Sequence, residues 1–332
     1  MNERNKLLDY MRGITVFLMV LGHCIQIGSG NEYIKKQAYF DDTIYQIIYT
    51  FHMPMFMIIS GFLYGNTLNK YSLKKGICRN IKKYLSIILI VWIIKALFEF
   101  SYKNIIEILK NFYLILWFIW ALLFISTISL IIEKIVKHSK LLIYCLIILS
   151  FFFLPDCGRL SIYKYMFPYY IIGLYIYKLR YKQNNIKNSK FLLYSCIVIY
   201  IALLFYYNRN TFIYTSGITL LGNNNYLLQL IIDLHRYIIG ACGCYIFYRL
   251  CRFLLNKKFL EKVFVSLGID SLYIYVITTE FLNSIIKKLT FGLTPNYFFN
   301  LLEAVISVAV TLLVKILIQI AKEKFKYKKL KA

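Results

Sequence analysis

Long apolar stretches separated by short polar ones dominate the chain, and the apolar stretches lack the polar face of an ordinary amphipathic helix. Ten spans are predicted, at Leu7–Ile27, Ile44–Tyr64, Tyr84–Phe100, Phe112–Ile132, Leu141–Leu154, Ile162–Tyr177, Phe191–Tyr207, Tyr226–Tyr248, Phe264–Ile286 and Tyr297–Ala321. A bilayer needs about 20 residues per helix, so the fifth and sixth are short and are expected to be tilted or partly re-entrant. The pattern predicts an all-α, polytopic membrane helical bundle of about ten transmembrane helices. No loop is long enough to fold separately, so 1–332 reads as a single integral-membrane domain.

Composition agrees, with 60% hydrophobic and 17% charged residues. The net charge of +25 would point to nucleic acid only if the basic residues formed one patch. They are instead distributed by loop. With both termini cytoplasmic, most of the 40 Lys and Arg fall on inner segments, densest at Lys70–Lys83, Lys178–Lys190, Arg249–Lys262 and the tail Lys322–Lys331. That is the positive-inside signature of a multi-pass protein of the plasma (cytoplasmic) membrane, with the lipid bilayer as partner and no nucleic acid. The first span carries Arg12 and His23 and has no small-residue cleavage site after it, so it is expected to remain as a helix. The eight Cys lack metal-ligand or redox-motif spacing, and neither a metal nor a bound cofactor is expected.

Polar groups at membrane depth are expensive and mark function. Arg12 and His23 are eleven residues apart, roughly three helical turns, which places them on nearly one face about 16 Å apart. Arg12 lies near the inner end, where an ion pair with Asp9 is the plain alternative to a functional role. His23 and His52 belong to the outer half. His52 adjoins Pro54, which removes a backbone donor from the second span. Asp233 and Arg236 read as a mutually neutralising pair, Lys315 as a snorkelling cation, and Glu303 as a carboxylate able to hold or reprotonate a histidine. Trp117 and Trp120 read as an interfacial belt or as a stacking surface for a sugar or nucleotide.

Five stretches carry a family resemblance: LDYMRGITVFLMVLGH (Leu8–His23), FHMPMFMIISGFL (Phe51–Leu63), LWFIWALLF (Leu116–Phe124), FPYYIIGLYIYK (Phe167–Lys178) and SLGIDSLYIYVI (Ser266–Ile277). In this order the chain resembles the membrane acyltransferase-3 family, in its fucose 4-O-acetylase-like branch. The resemblance implies that His23 is the essential histidine. It also implies that a basic inner loop meets the phosphates of acyl coenzyme A through an Arg-x-x-Arg element before a Tyr-Pro. Here that element reads Arg79-Asn80-Ile81-Lys82-Lys83-Tyr84-Leu85, so Lys82 replaces the second Arg, losing a planar fork, and Leu85 replaces the proline. Near Thr278-Thr279-Glu280, relatives often carry a His.

The expected activity is O-acyl transfer, moving an acetyl group from cytoplasmic acetyl-CoA, a cosubstrate, to a hydroxyl of a cell-surface glycan or its lipid-linked precursor. His23 would act as base or as transient acyl carrier. Arg12 is the second catalytic candidate, and His52, Arg79, Lys82, Trp117 and Glu303 are candidates for binding donor or acceptor. The alternative class is a glycan or lipid transporter or flippase, which also uses intramembrane His and Arg with broken helices. Only one clear break, at Pro54, is visible.

Overall fold

In the computed structural model, residues 5–28, 31–68, 70–99, 106–107, 112, 114–182, 189–220, 225–255, 257–282 and 296–331 are described, and every regular element among them is helical. The α-helices are α1 (Lys6–Gly28), α2 (Asn31–Lys36), α3 (Thr43–Leu68), α4 (Leu73–Glu99) and α5 (Trp117–Ile135). There follow α6 (Lys140–Phe151), α7 (Leu160–Lys182), α8 (Lys190–Phe205), α9 (Ile213–Ser216), α10 (Tyr226–Leu254), α11 (Lys258–Ile269), α12 (Ser271–Ile277) and α13 (Tyr297–Lys331). The protein is an all-α membrane bundle. Among the described residues, five helices are long and apolar enough to cross a bilayer, over Lys6–Ile27, Thr43–Leu68, Trp117–Ile135, Tyr226–Leu254 and Tyr297–Ile320.

Two sequence-based expectations change and a third holds. The third span begins at Leu73 rather than Tyr84, because its lysines and arginine are good helix formers and the polar turns simply continue the helix. The sixth, expected to be short, lengthens to 23 residues. Its Pro168 interrupts the hydrogen-bond ladder without ending the helix. The fifth stays short at 12 residues, about 18 Å long against a hydrocarbon core of about 30 Å.

The ninth span is not one helix. α11 ends at Ile269, Asp270 intervenes, α12 runs to Ile277, and a π-helical turn covers Thr278–Leu282. Residues 283–286 of that expected span lie outside the described residues.

Helices group into two compact units, Met1–His52 with Phe247–Ala332, and Met53–Ile246. In the first, α1 is the axis: it packs on α11, on α13 and on the π turn. A pair of glycines permits the α1–α11 contact. A Cβ on Gly13 would overlap the Phe264 carbonyl oxygen, and one on Gly268 the Asp9 carbonyl oxygen. Close backbone approach of this kind replaces the hydrophobic drive that lipid removes.

In the second unit, α5 packs against α4 and α7, and α7 also receives α6 and α9. Gly61 and Gly173 repeat the device, with a Cβ on the first overlapping the Tyr170 carbonyl and on the second the Ile58 carbonyl. Leu68, Leu130 and Leu174 form a buried cluster beside that crossing.

Candidate functional site

α1 carries Arg12 and His23, and the first unit gathers polar groups around both. Arg12 donates through Nη2 to Ser271 Oγ at 2.7 Å and pairs through Nη1 with Asp9 at 3.5 Å. The Asp9 partnership anticipated from spacing is present, and the shorter contact is to Ser271, the first residue of α12. Asp270, at the α11–α12 break, pairs with Lys315 at 2.6 Å. Lys315, expected to snorkel, has the buried Asp270 carboxylate as its partner. Asp9, Arg12, Ser271, Asp270 and Lys315 thus make a polar layer at the helix break.

Three turns further along α1, His23 is partly buried. The Gln26 side chain hydrogen-bonds it, and the Glu280 carboxylate lies within electrostatic reach of its ring. His52 is 2% exposed and also lies within electrostatic reach of His23. Its Nδ1 donates to the Ile48 carbonyl at 2.7 Å. In the neutral ring this leaves the basic lone pair on Nε2.

Aromatic side chains support His52. Its ring meets Tyr49 edge-on with centroids 4.7 Å apart, and Tyr49 stacks on Tyr45 at 3.9 Å. Tyr49 also covers Gly22, the residue before His23.

Glu303 lies on α13. Its electrostatic neighbour is the buried Cys24, and its Oε2 is buried without a hydrogen-bond partner. A second carboxylate, Glu280, lies within electrostatic reach of His23. The two lie on different sides of α1 because Cys24 and His23 are successive residues, about 100° apart.

Asp42 caps α3 by accepting from Tyr45 N at 2.8 Å and accepts from the Tyr297 hydroxyl at 2.7 Å. Burial and the charge of Asp42 raise the ionisation of the nearby Tyr33 phenol above its usual range. It remains a hydrogen-bond donor at neutral pH.

The second unit holds the remaining candidates. Arg79 and Lys82 lie on the first turns of α4, not in a loop. Their three-residue spacing puts them on one face. Arg79 stacks over the Tyr71 ring at 4.7 Å, and Lys82 is exposed. Trp117 begins α5 and packs edge-on against Phe118, at 5.9 Å between centroids.

Asp233 and Arg236 pair at 2.7 Å, both buried. Arg236 also donates to the Thr211 and Gly217 carbonyls, each at 2.8 Å. The fully buried Lys164 pairs with Asp156 at 2.8 Å, and Asp156 in turn accepts from Ile218 N and Thr219 N. Asp233, Arg236, Lys164 and Asp156 together tie down the connection that carries α9.

Sequence reasoning missed Gln26, Ser271 and the role of Glu280. Gln26 follows His23 by three residues, a spacing that a helical reading contains. Glu280 is visible as an intramembrane carboxylate, but its direction depends on a π turn that regular periodicity does not foresee. Among the described residues, no group of three or more His, Cys, Asp and Glu is arranged to hold a metal ion.

Residues 5–320 match the profile of a family described as an acyltransferase domain. The chain is also similar to nodulation protein NolL of Sinorhizobium fredii, at 23% identity over 294 residues, covering 83% of this chain and 77% of that protein. A second similarity is to nodulation protein NolL of Mesorhizobium japonicum, at 28% identity over 183 residues, 52% of this chain and 48% of that protein. No solved structure matches the chain.

Proposed function

The chain belongs to the acyltransferase-3 family, and from that premise we propose that this membrane O-acyltransferase moves an acetyl group from acetyl-CoA to a glycan hydroxyl. The acceptor is a cell-surface glycan or its lipid-linked precursor. The observation that carries the reading is His23, a partly buried imidazole bonded to Gln26 with Glu280 and His52 nearby. A sugar hydroxyl is far too weak an acid to attack a thioester at neutral pH, and an imidazole is the side chain suited to remove its proton.

In direct transfer, the hydroxyl oxygen bonds to the acetyl carbon as its proton passes to His23. The C–S bond then breaks, and the proton goes to the departing coenzyme A thiolate. In the covalent variant, His23 attacks the acetyl carbon and the C–S bond breaks to release the coenzyme A thiolate; the hydroxyl oxygen then attacks the acyl-imidazolium, its proton passes to the thiolate, and the neutral imidazole leaves. Arg12 stabilises charge on the donor or on the developing oxyanion. Arg79 and Lys82 supply positive charge for the phosphates of coenzyme A.

Trp117 offers an aromatic face for the acceptor, and His52 orients it or shares its proton. Glu303, whose buried Oε2 has no hydrogen-bond partner, accepts a hydrogen bond from an acceptor hydroxyl. The distribution of Lys and Arg supports a cytoplasmic-membrane location with both termini inside.

Membranes bearing the protein or its His23→Ala variant, incubated with radiolabelled acetyl-CoA and a crude glycan fraction, provide the test. Transfer of label to glycan that disappears in an equally abundant, folded variant supports the reading. Full transfer by His23→Ala overturns it.

A further inference from the structure

A base that collects a proton inside a membrane becomes an imidazolium in an apolar surrounding, and an uncompensated charge there is costly. His23 is partly buried, and Gln26 supplies a hydrogen bond but no charge. The charged group that reaches the ring comes from another part of the chain. Glu280 lies in the π turn Thr278–Leu282, which packs against α1.

That turn departs from a regular helix. A regular α-helix continued from α12 would turn each residue by about 100°, whereas the wider π turn changes the phase of the residues it contains. The threonines in it turn inward on their own helix: Thr278 Oγ1 donates to the Ile274 carbonyl at 2.5 Å and Thr279 Oγ1 to the Tyr275 carbonyl at 2.6 Å. Their hydroxyls are thus occupied within the helix. Glu280 follows them as the one acidic side chain of the turn.

We propose that Glu280 is a positioning residue for His23, its carboxylate orienting the ring and stabilising the imidazolium formed as the acceptor hydroxyl is deprotonated. The inference rests on the acyl-transfer reading and deepens it. The proton moves from the acceptor oxygen to His23 and then to the coenzyme A sulfur as the C–S bond breaks, so Glu280 neither gains nor loses one. This division of labour is that of the aspartate in a serine-hydrolase triad, which holds and compensates the histidine without itself being protonated.

The second imidazole does not fill this role. His52 lies within reach of His23 but brings no negative charge, and its Nδ1 is committed to the Ile48 carbonyl. Nor does Glu303, whose electrostatic neighbour is Cys24.

The test compares full-length wild type, His23→Ala, Glu280→Gln, Glu280→Asp and the His23→Ala/Glu280→Gln double variant, with initial rates measured against acetyl-CoA and acceptor concentration. Glu280→Gln keeps the shape of the side chain and removes its charge. The expected result is a fall in kcat of about 100-fold, with KM for both substrates within about twofold. Glu280→Asp should recover at least part of the loss, and Glu280→Gln should have no further effect on the residual rate of His23→Ala, because the carboxylate acts through the ring.

Wild-type kcat in Glu280→Gln, equal losses in the Gln and Asp variants, or additive losses in the double variant would each overturn the proposal. A loss that merely tracks a reduced folded yield would also overturn it, because Glu280 would then serve the fold. If His23→Ala itself transfers at the wild-type rate, the acyl-transfer reading fails first. A dead His23→Ala beside a fully active Glu280→Gln removes only the role of Glu280.

Discussion

Arg12 donates to Ser271 Oγ at 2.7 Å, across 259 residues of sequence. The contact joins the inner part of α1 to the first residue of α12, just past the break at Asp270. It gives Arg12 a fixed direction that Asp9, one turn away on the same helix, does not supply alone. Removing the hydroxyl in Ser271→Ala is expected to lower stability by about 1–2 kcal/mol, read as an earlier thermal midpoint in detergent. Arg12→Lys keeps the charge but loses the planar fork, and transfer should fall at least tenfold while the protein stays folded.

The Asp270–Lys315 pair is the second support of that break. Lys315→Met leaves a partly buried carboxylate without its cation, and stability is expected to drop by about 3 kcal/mol. The Asp270→Asn change made in the same chain should return a good part of that loss. If the double variant is no more stable than Lys315→Met, the pair is not the source of the effect.

Gly268 and Gly22 both lie where helices meet, yet they differ in what a methyl group would strike. At Gly268 it would strike the backbone of α1, which has nowhere to go, whereas at Gly22 it would touch the edge of the Tyr49 ring at 3.0 Å. Gly268→Ala should therefore collapse the yield of monodisperse protein. Gly22→Ala should be recovered near wild-type yield, with its cost seen in activity through the shift of Tyr49 and its neighbour His52.

In the second unit, Asp233→Ala would leave Arg236 buried without its counter-charge, though still bonded to the Thr211 and Gly217 carbonyls. A loss of about 3–5 kcal/mol is expected, accompanied by earlier proteolysis in 208–220. Proteolysis confined elsewhere would show that this connection does not depend on the pair.

Arg79→Ala and Lys82→Ala should raise KM for acetyl-CoA several-fold with little change in kcat, and the effect should shrink as salt is added, as for exposed charges meeting phosphate. An unchanged KM in the double variant would remove these residues from donor binding.

How far the sequence spoke for itself depended on whether a relationship was local. Arg12 and His23 belong to one helix, so their shared face follows from periodicity, and Asp233 with Arg236 is another such case. Contacts between helices were not legible in this way. Nothing in the pattern ties Lys315 to Asp270 or Arg12 to Ser271, because each joins distant segments through tertiary packing.

The ninth span illustrates a different failure. Its apolar residues run on through Asp270, and hydropathy averages over the break and the π turn that redirect Glu280. The basic stretch before Tyr84 was read as loop because charge was taken to end the span, although Lys and Arg extend a helix readily once it leaves the apolar layer.

The reciprocal glycines have one more consequence. At Gly13 with Gly268, and again at Gly61 with Gly173, each backbone sits in the notch left by the other's missing side chain. A slide of one residue along either axis would bring a Cβ against a carbonyl, so each crossing behaves as a detent with a single allowed register. Any motion that accompanies turnover must therefore carry the two members of a pair together, and the flexing has to occur at elements outside these notches.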